Sequence, residues 1–298
     1  MARSNRYAIR DRILTLDPKT DHQEIVYLVG SYEFPYLTRK SLEFALFRTY
    51  AVPSISKLLD ETGEFYKRGQ RRYDDTSLII SEIAENGYDS ERGRTAIRRM
   101  NRLHARFDIS NDDFLYVLST FLYEPIRWNA RFAWRKSTEV ERQASYYFWY
   151  EVGRRMNIKA IPDSYETFEQ FNVDYEREHF RYVDSNQRVG EATIQVFLKW
   201  YALPLRPMVR QGIYALLDEP LRVAFGFPKA SRALTKAIEL GLSTRAGFVR
   251  KLLSPRSKAY SFTKVPNRTY TSGYQIEALG PPDVPPDRVV DSSDESGV

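Results

Sequence analysis

The sequence predicts an all-α fold, and three observations support this class. Apolar residues recur at intervals of three and four over most of the 298-residue chain, which is the period of helices packed on a core. Ser, Thr or Asp precedes several of these stretches, and Gly or Pro follows them, as expected at helix starts and ends. The sequence contains no convincing run of alternating residues and no repeat, so neither a sheet nor a solenoid is expected.

Five helices are predicted in the first half of the chain. Asp74 or Asp75 caps a short helix that ends just before Gly87. Ser110 precedes an acidic first turn, which the helix dipole favours, and Pro125 is expected to kink or end the helix that follows. That helix is apolar on nearly all sides, so we expect it at the centre of the core. In chain order, the predicted helices cover residues 24–30, 38–50, 75–85, 92–107 and 111–123.

Five further helices and a tail are predicted in the second half. Thr138 and Glu141 have the spacing of a capping box, and Pro204 closely follows another predicted helix end. After residue 253, Pro, Ser and Asp accumulate, and such a composition cannot bury a core. We therefore predict one helical domain, residues 1–253, and a flexible polar C-terminal tail, residues 254–298. The helices cover residues 138–156, 164–182, 189–201, 207–225 and 230–253.

Composition excludes several functional classes. Hydrophobic residues make up 42% of the chain, which is enough for a packed core. The absence of cysteine excludes disulfides, a thiolate nucleophile, an iron–sulfur cluster and a thiolate-ligated heme. The sequence has no phosphate-binding glycine loop, no nucleophile elbow and no known nucleic-acid module, so nucleic acid is not expected as a partner. The formal net charge of +6 permits contact with anionic surfaces without requiring it.

Residues 229–258 are the one strongly basic stretch. They carry eight Lys or Arg and one Glu on an amphipathic background. Such a stretch is either a solvated surface helix or a peripheral contact with an anionic membrane, and both interpretations stay open. The chain begins without an apolar leader, and its longest near-apolar run, residues 114–123, is too short to span a bilayer. We therefore expect a cytoplasmic protein, with membrane contact limited to residues 229–258.

His104 is the leading candidate for chemistry. At about 100° per residue, it lies within roughly 60° of an apolar group on its predicted helix. A lone histidine on an apolar face is usually part of the core, bonded to backbone or water. The same placement also suits the proximal ligand of a heme iron, which is a neutral imidazole in apolar surroundings. The residues that share this face with His104 are Gly93, Ile97, Met100, Asn101 and Phe107.

A second histidine has a weaker pattern. Glu176 and His179 have the Glu-x-x-His spacing of di-iron bundles. Those sites need a second copy of the motif, and at that spacing Asn101 precedes His104. We therefore expect His179 to have a structural role.

The block from residue 92 to residue 128, RGRTAIRRMNRLHARFDISNDDFLYVLSTFLYEPIRW, resembles the family that unites the MpaB oxygenases with the rubber oxygenases, or latex clearing proteins. The stretches NRYAIRDRIL, LEFALFRTYAVPS and EHFRYVDSNQRVGEAT are similar to the bacterial MpaB-type members. The likeness extends over residues 5–255. It implies a globin-like helical domain with additional helices that binds heme b and uses dioxygen to cleave isoprenoid C=C bonds.

The resemblance also implies roles for particular residues. His104, in Arg102-Leu-His-Ala, matches the proximal iron ligand of the rubber oxygenases. Arg72 and Thr76 match an Arg-x-x-x-Thr motif on the distal side, where they would donate hydrogen bonds to dioxygen or its reduced form; otherwise they are a surface arginine and a helix-start threonine. On the proximal helix, we expect porphyrin packing from Met100, Ile97 and Phe107, close approach at Gly93 and a propionate contact from Arg94.

Two departures from the family pattern are visible. Asp75 occupies the position of a lysine that precedes the distal threonine and can cap the iron, so we expect no such cap. Asn101 and Asp108 replace arginines that bracket the proximal histidine, so propionate anchoring must differ. The expected function is a heme-b oxygenase that acts on an apolar, isoprenoid-like small molecule, by C=C cleavage or a related oxygen insertion. The alternative is a non-catalytic helical protein that binds heme or lipid at a membrane surface.

Overall fold

The computed structural model describes residues 5–287, and these residues contain helices and turns without a β-strand. The predicted all-α class is therefore confirmed, whereas the globin-like arrangement stays a prediction. The thirteen α-helices are α1 (Ala8–Ile13), α2 (His22–Leu28), α3 (Pro35–Thr49), α4 (Pro53–Thr62), α5 (Glu64–Asn86), α6 (Glu91–His104), α7 (Asn111–Phe132), α8 (Glu139–Arg155), α9 (Tyr165–His179), α10 (Asp184–Leu198), α11 (Arg206–Leu216), α12 (Glu219–Phe225) and α13 (Arg232–Leu252).

The described chain forms two compact units. The first contains residues 5–69 and Ser110–Tyr260, and the second contains Gln70–Ile109 and residues 261–287. Helix α5 begins in the first unit, loses helical geometry at Arg68 (φ −141°, ψ 38°) and continues in the second. All the predicted site residues belong to the second unit.

Helix α7 is the centre of the first unit, as its apolar sequence predicted. It packs against α3, α8 and α9, and Tyr116 and Tyr123 are fully buried on it. Pro125 does not end α7, which continues for another seven residues to Phe132. Trp128 and Phe132, buried in an aromatic cluster on the far side of the proline, offset the backbone hydrogen bond that the proline removes.

The first unit also contains a buried arginine that is surrounded by carboxylates. The Arg48 guanidinium, 6% exposed, donates to both Glu176 carboxylate oxygens and to Asp218, and Glu124 lies 3.7 Å from its Nε. Burial lowers the pKa of Arg48, but the surrounding carboxylates outweigh it and hold that pKa well above the ordinary value. Because a buried charge without partners is costly, the three carboxylates keep Arg48 compatible with the core.

The predicted helix over residues 207–225 is two helices in the structure. It breaks at Leu217, and the Asp218 side chain then caps α12 by accepting a hydrogen bond from the Leu221 N–H at 3.0 Å. Pro220 in the first turn of α12 explains the break, because a proline cannot continue a preceding helix without losing a backbone hydrogen bond.

The second unit departs most from expectation. Asp74 and Asp75 do not cap a helix: they lie inside α5 and are 2% and 4% exposed. Residues 261–287, expected to belong to a flexible tail, instead pack in this unit, with Ile276, Leu279 and Val284 buried. The polar composition predicted a flexible tail, but these residues are held by bonds to charged side chains of α5 and α6 and need no core of their own. The rest of the expected tail, residues 288–298, lies outside the described residues.

Candidate functional site

The start of α6 is fixed by a cap and a close backbone contact. The Ser90 hydroxyl accepts a hydrogen bond from the Gly93 N–H at 2.9 Å. A Cβ on Gly93 would lie 1.9 Å from the carbonyl oxygen of Gly87, which itself has φ +81°. Gly93 therefore makes room for the preceding turn of its own chain, and the close approach of a porphyrin to Gly93 stays a prediction.

The end of α6 also differs from the prediction. The helix ends at His104, three residues before Phe107, so the helical angle assigned to Phe107 does not apply. Phe107 lies in the turn that follows and is 38% exposed, with the Arg106 guanidinium 5.7 Å from its ring centroid. Its predicted place on the helical face with His104 is therefore wrong, because the helix stops first.

Axial distance separates the other residues of the predicted face. Helical rise places Met100 about 6 Å from His104 along the axis, Ile97 about 10 Å away and Arg94 about 15 Å away. Met100 and Ile97 are 8% and 5% exposed, so they are the buried apolar side chains of the predicted face. Arg94 is exposed and donates to the Asp89 carbonyl, which leaves it far from a group centred on His104.

His104 is a neutral imidazole at physiological pH. Burial, with a smaller contribution from the positive charge of Arg72, lowers the pKa of His104 from 6.5 to about 4. Both effects disfavour the imidazolium, so one ring nitrogen of His104 carries no proton at pH 7. This is the protonation state that a metal ligand requires.

Arg72 and Thr76 lie one turn apart on α5. The Arg72 Nη1 donates to the Thr76 hydroxyl, and this hydroxyl donates to the Arg72 carbonyl at 3.0 Å. Thr76 is thus a mid-helix residue rather than the helix start expected from its sequence. Because the Arg72 charge reaches His104, the structure brings the predicted distal arginine and proximal histidine into one neighbourhood.

These residues fit a heme iron in their chemistry. His104 provides a neutral nitrogen donor at the end of a helix, Met100 provides an apolar neighbour one turn back, and Arg72 provides a cationic hydrogen-bond donor nearby. Within residues 5–287, no three His, Asp or Glu side chains converge as a metal-binding group. A single imidazole with an apolar neighbour is suited to iron that a porphyrin already coordinates.

Arg99 is the residue that sequence reasoning missed. Arg99 is not among the residues predicted to share the apolar face with His104, yet its side chain is fully buried. Its guanidinium donates to the carbonyls of Leu279 and Pro285, at 2.6 and 2.9 Å, and to Asp287 at 3.1 Å. The wheel could not reveal this contact because the partners lie about 180 residues further along the chain.

Glu176 and His179 both contact neighbouring side chains or backbone of the first unit, and the structural role expected for His179 stays a prediction. Glu176 bonds to Arg48 and accepts from the Tyr116 hydroxyl at 3.0 Å. The His179 ring stacks on Tyr175 with a centroid separation of 3.9 Å, and its Nδ1 lies 2.9 Å from the Tyr175 carbonyl. Both side chains are thus occupied by neighbours of the first unit.

Comparison with known proteins adds to this geometry. The family model described as "ER-bound oxygenase mpaB/B'/Rubber oxygenase, catalytic domain" matches residues 44–250. The ER-bound oxygenase mpaB' of Penicillium brevicompactum is 31% identical over 253 residues, which is 78% of this chain and 59% of that protein. The ER-bound oxygenase mpaB of Penicillium roqueforti (strain FM164) is 32% identical over 212 residues, 64% of this chain and 70% of that protein.

A second mpaB, from Penicillium brevicompactum, is 32% identical over 191 residues, which is 58% of this chain and 49% of that protein. The chain therefore spans about half to two thirds of the length of these relatives. Within residues 5–287, no helix combines the length and the apolarity that a membrane span requires. The family match and these relatives together show that the chain belongs to the oxygenase family of mpaB, mpaB' and the rubber oxygenases.

Proposed function

We propose that this protein is a heme-b-dependent oxygenase that acts on an apolar, isoprenoid-like small molecule with dioxygen. The reaction is oxidative C=C cleavage or a related oxygen insertion. The single observation that supports it most is a neutral His104 in the neighbourhood of Arg72, in a chain of an oxygenase family. Heme would supply the one-electron and dioxygen chemistry that no amino-acid side chain provides.

The chain's own residues have distinct tasks in this proposal. His104 would hold the iron through its neutral ring nitrogen, which burial keeps unprotonated at pH 7. Met100, one turn earlier and 8% exposed, would pack against the porphyrin and help to exclude water.

Arg72 and Thr76 act as paired donors. Each holds the other in place through the hydrogen bond from the Arg72 Nη1 to the Thr76 hydroxyl. Donors fixed in advance stabilise negative charge that develops on an oxygen substrate without reorganising during the reaction. Arg72 is therefore proposed to donate to dioxygen or its reduced form, with Thr76 as its orienting partner.

The contacts of Asp75 support the proposal that no side chain at this position caps the iron. It occupies the position of the family's lysine, but its carboxylate accepts a hydrogen bond from the Tyr270 hydroxyl at 2.5 Å. Burial, its largest influence, raises the pKa of Asp75. A side chain held in this way does not reach the iron, so we propose that the substrate side stays open without a lysine cap.

The test is turnover with a defined substrate. The heme-loaded protein is incubated with an isoprenoid oligomer, oxygen consumption is recorded, and products are identified by mass spectrometry in ¹⁸O₂. The proposal predicts oxygen uptake that depends on the substrate and ¹⁸O in a carbonyl or hydroxyl product. A protein that binds heme tightly but consumes no dioxygen with any of a panel of apolar alkenes would support the non-catalytic alternative.

We also propose a reversible contact between α13 and anionic lipid. Between residues 240 and 260 there are five cations and no acid. Leu240, Phe248 and Leu252 are exposed at 68%, 51% and 68%, so apolar and cationic groups are accessible together. The C-terminal end of the basic stretch over residues 229–258 is therefore suited to a peripheral contact with a membrane. An apolar substrate would be dissolved in that membrane.

A further inference from the structure

The C-terminal segment, residues 261–287, bonds to carboxylates along the part of α5 that belongs to the second unit. The Glu85 carboxylate accepts from the Ser261 hydroxyl at 2.6 Å and from the Phe262 N–H at 2.5 Å. Ten residues earlier on α5, the Asp75 carboxylate accepts from the Tyr270 hydroxyl at 2.5 Å. The segment thus follows about 15 Å of α5, which is three helical turns.

The same segment also bonds to α6, through Arg99. The Arg99 guanidinium, 0% exposed, donates to the carbonyls of Leu279 and Pro285 and to the Asp287 carboxylate. The Arg102 Nη1 donates to the same Asp287 carboxylate at 2.6 Å. A planar guanidinium with several fixed donors is suited to holding carbonyls of an irregular segment at defined positions.

Gly280 lies where the contacts to the two helices meet. Its carbonyl accepts from the Arg71 Nε of α5 at 3.0 Å. A Cβ built on it would lie 3.0 Å from both terminal methyl groups of Leu103 on α6 and 3.6 Å from the Arg99 guanidinium. Its φ of +115° is a conformation that side chains other than glycine rarely adopt. Glycine is therefore required here both for backbone conformation and for space.

The two helix residues that contact Gly280 are sequence neighbours of the proposed site. Arg71 precedes Arg72, and Leu103 precedes His104. The segment lies beyond residue 250, where the match to the family's catalytic domain ends. The contact is therefore an addition to the matched domain that reaches both sides of the site.

We propose that Gly280 and Arg99 are positioning residues that fix His104 of α6 relative to Arg72 of α5 by locking the C-terminal segment between the two helices. This inference rests on the proposed function for its consequence in catalysis. Its geometric part, the fixed spacing of α5 and α6, is independent of heme. Loosening the lock changes the position of the iron ligand without altering the ligand itself, which is how supporting residues affect metal sites.

The chain contains a matched pair of glycines for the test. Gly280→Ala introduces a Cβ against Leu103, in addition to backbone strain at φ +115°. Gly273→Ala introduces comparable strain at φ +99° in the same segment, but no atom lies within 4 Å of the added Cβ. A difference between the two variants therefore reports the contact at Gly280 rather than the loss of a flexible glycine.

The first measurement uses the heme-free full-length protein. Because the chain has no cysteine, Ser77→Cys on α5 and Arg98→Cys on α6 can carry two spin labels without background. Pulsed electron resonance should give one narrow distance in the parent and in Gly273→Ala, and a shifted or broadened distribution in Gly280→Ala. Identical distributions in Gly280→Ala and Gly273→Ala would overturn the positioning role.

The second measurement is heme affinity, followed by the Soret band. We expect affinity to fall about 10- to 100-fold in Gly280→Ala, the range found when supporting residues of metal sites are changed, and to be retained in Gly273→Ala. Equal affinities would contradict the consequence for the site. A parent protein that binds no heme, with the spin-label shift still present, would instead refute the proposed function and leave the spacing role standing.

A second variant applies if Gly280→Ala does not fold. Arg99→Lys keeps the buried charge but provides fewer donors for the carbonyls of the segment. Arg98→Lys is its control, because Arg98 is the exposed neighbour on the same helix. For this pair the labels are placed at Ser77 and the exposed Arg94. A broadened distance in Arg99→Lys alone supports the lock, and unchanged distances in both variants overturn it.

Discussion

At the scale of single residues, the chemistry of this chain depends on how burial selects a protonation state. Protonation of His104 is less favourable than protonation of an ordinary surface histidine, because both burial and the Arg72 charge oppose the imidazolium. The same neutral state that suits an iron ligand makes the heme-free protein sensitive to acid. Function and stability are therefore linked through one side chain.

The pH dependence of stability follows from this pKa. Between pH 6.5 and about 4 the unfolded chain binds a proton at His104 and the folded heme-free protein does not, so stability falls as pH falls through this window. The shift from 6.5 to about 4 corresponds to about 3 kcal/mol, fully present above the unfolded pKa and lost towards pH 4. Urea unfolding of the heme-free parent and of His104→Gln, from pH 4 to pH 7, measures this difference. Parallel stability curves for the two proteins would show that His104 is not held neutral.

The paired donors of α5 give a second prediction. Arg72→Ala and Thr76→Ala should each keep the heme but lower oxidative turnover by roughly 10²-fold or more, the scale of a lost preorganised donor. Arg98→Ala, an exposed arginine on α6, is the control and should be near the parent in both respects. Steady-state turnover and heme content are measured together. If both α5 variants had the turnover rate of the parent, Arg72 and Thr76 would have no role in the reaction.

Sequence reasoning at this scale finds motifs that depend on local pattern, and the roles that it assigns to their residues stay predictions. The His104 motif and the Arg72-x-x-x-Thr76 spacing were visible in the sequence, and the structure brings Arg72 to His104. The angular spacing of about 100° per residue did not show how far Arg94 lies from His104, because it ignores the rise of about 1.5 Å per residue along the helix. It failed for Arg99 because the partners of that side chain lie in a distant segment.

At the scale of elements, helices were easier to predict than their ends. Pro125 was expected to kink or end α7, yet burial of the aromatic residues after it keeps the helix continuous. Asp74 and Asp75 have the composition of a helix cap, but their partners Thr269 and Tyr270 hold them inside α5. Tertiary contacts therefore overrode the local preference in these cases.

Helix α13 illustrates a partial success of amphipathicity. The apolar residues of this amphipathic helix include Leu234, Ile238, Leu242, Phe248 and Leu252. Leu242 packs on an aromatic cluster of the first unit, and Ile238 lies 3.8 Å from the position of a Cβ on Gly212 in α11. Much of the apolar side of α13 therefore packs against protein, and only the C-terminal half of the helix has apolar side chains that lipid could contact.

Membrane binding of α13 is therefore predicted to be electrostatic and reversible. Each Lys or Arg near an anionic surface contributes about 1 kcal/mol, so several cations acting together retain the protein at low salt, and screening weakens binding as salt rises. Co-sedimentation with anionic and neutral vesicles measures this at two salt concentrations. Phe248→Ser with Leu252→Ser should reduce binding, whereas Val223→Ser on α12, also exposed, should not. Equal binding to both vesicle types, or none to either, would leave α13 as an ordinary solvated helix.

At the scale of the whole molecule, the predicted boundary after residue 253 does not describe how the chain packs. Residues 261–287 join residues 70–109 in a compact unit that contains every candidate site residue. Composition could not indicate this, because the segment is polar and its partners are buried charges rather than apolar faces. The all-α class, by contrast, was predicted from apolar periodicity, helix-end residues and the lack of alternating runs, and is confirmed.

The central claim is that His104 holds a heme iron, and one visible absorption spectrum of freshly purified protein tests it most directly. The parent protein should show a Soret band typical of histidine-ligated heme b. The band should be lost in His104→Ala and kept in His179→Ala, since His179 stacks on Tyr175 in the other unit. An unchanged spectrum with full heme content in His104→Ala would contradict the account.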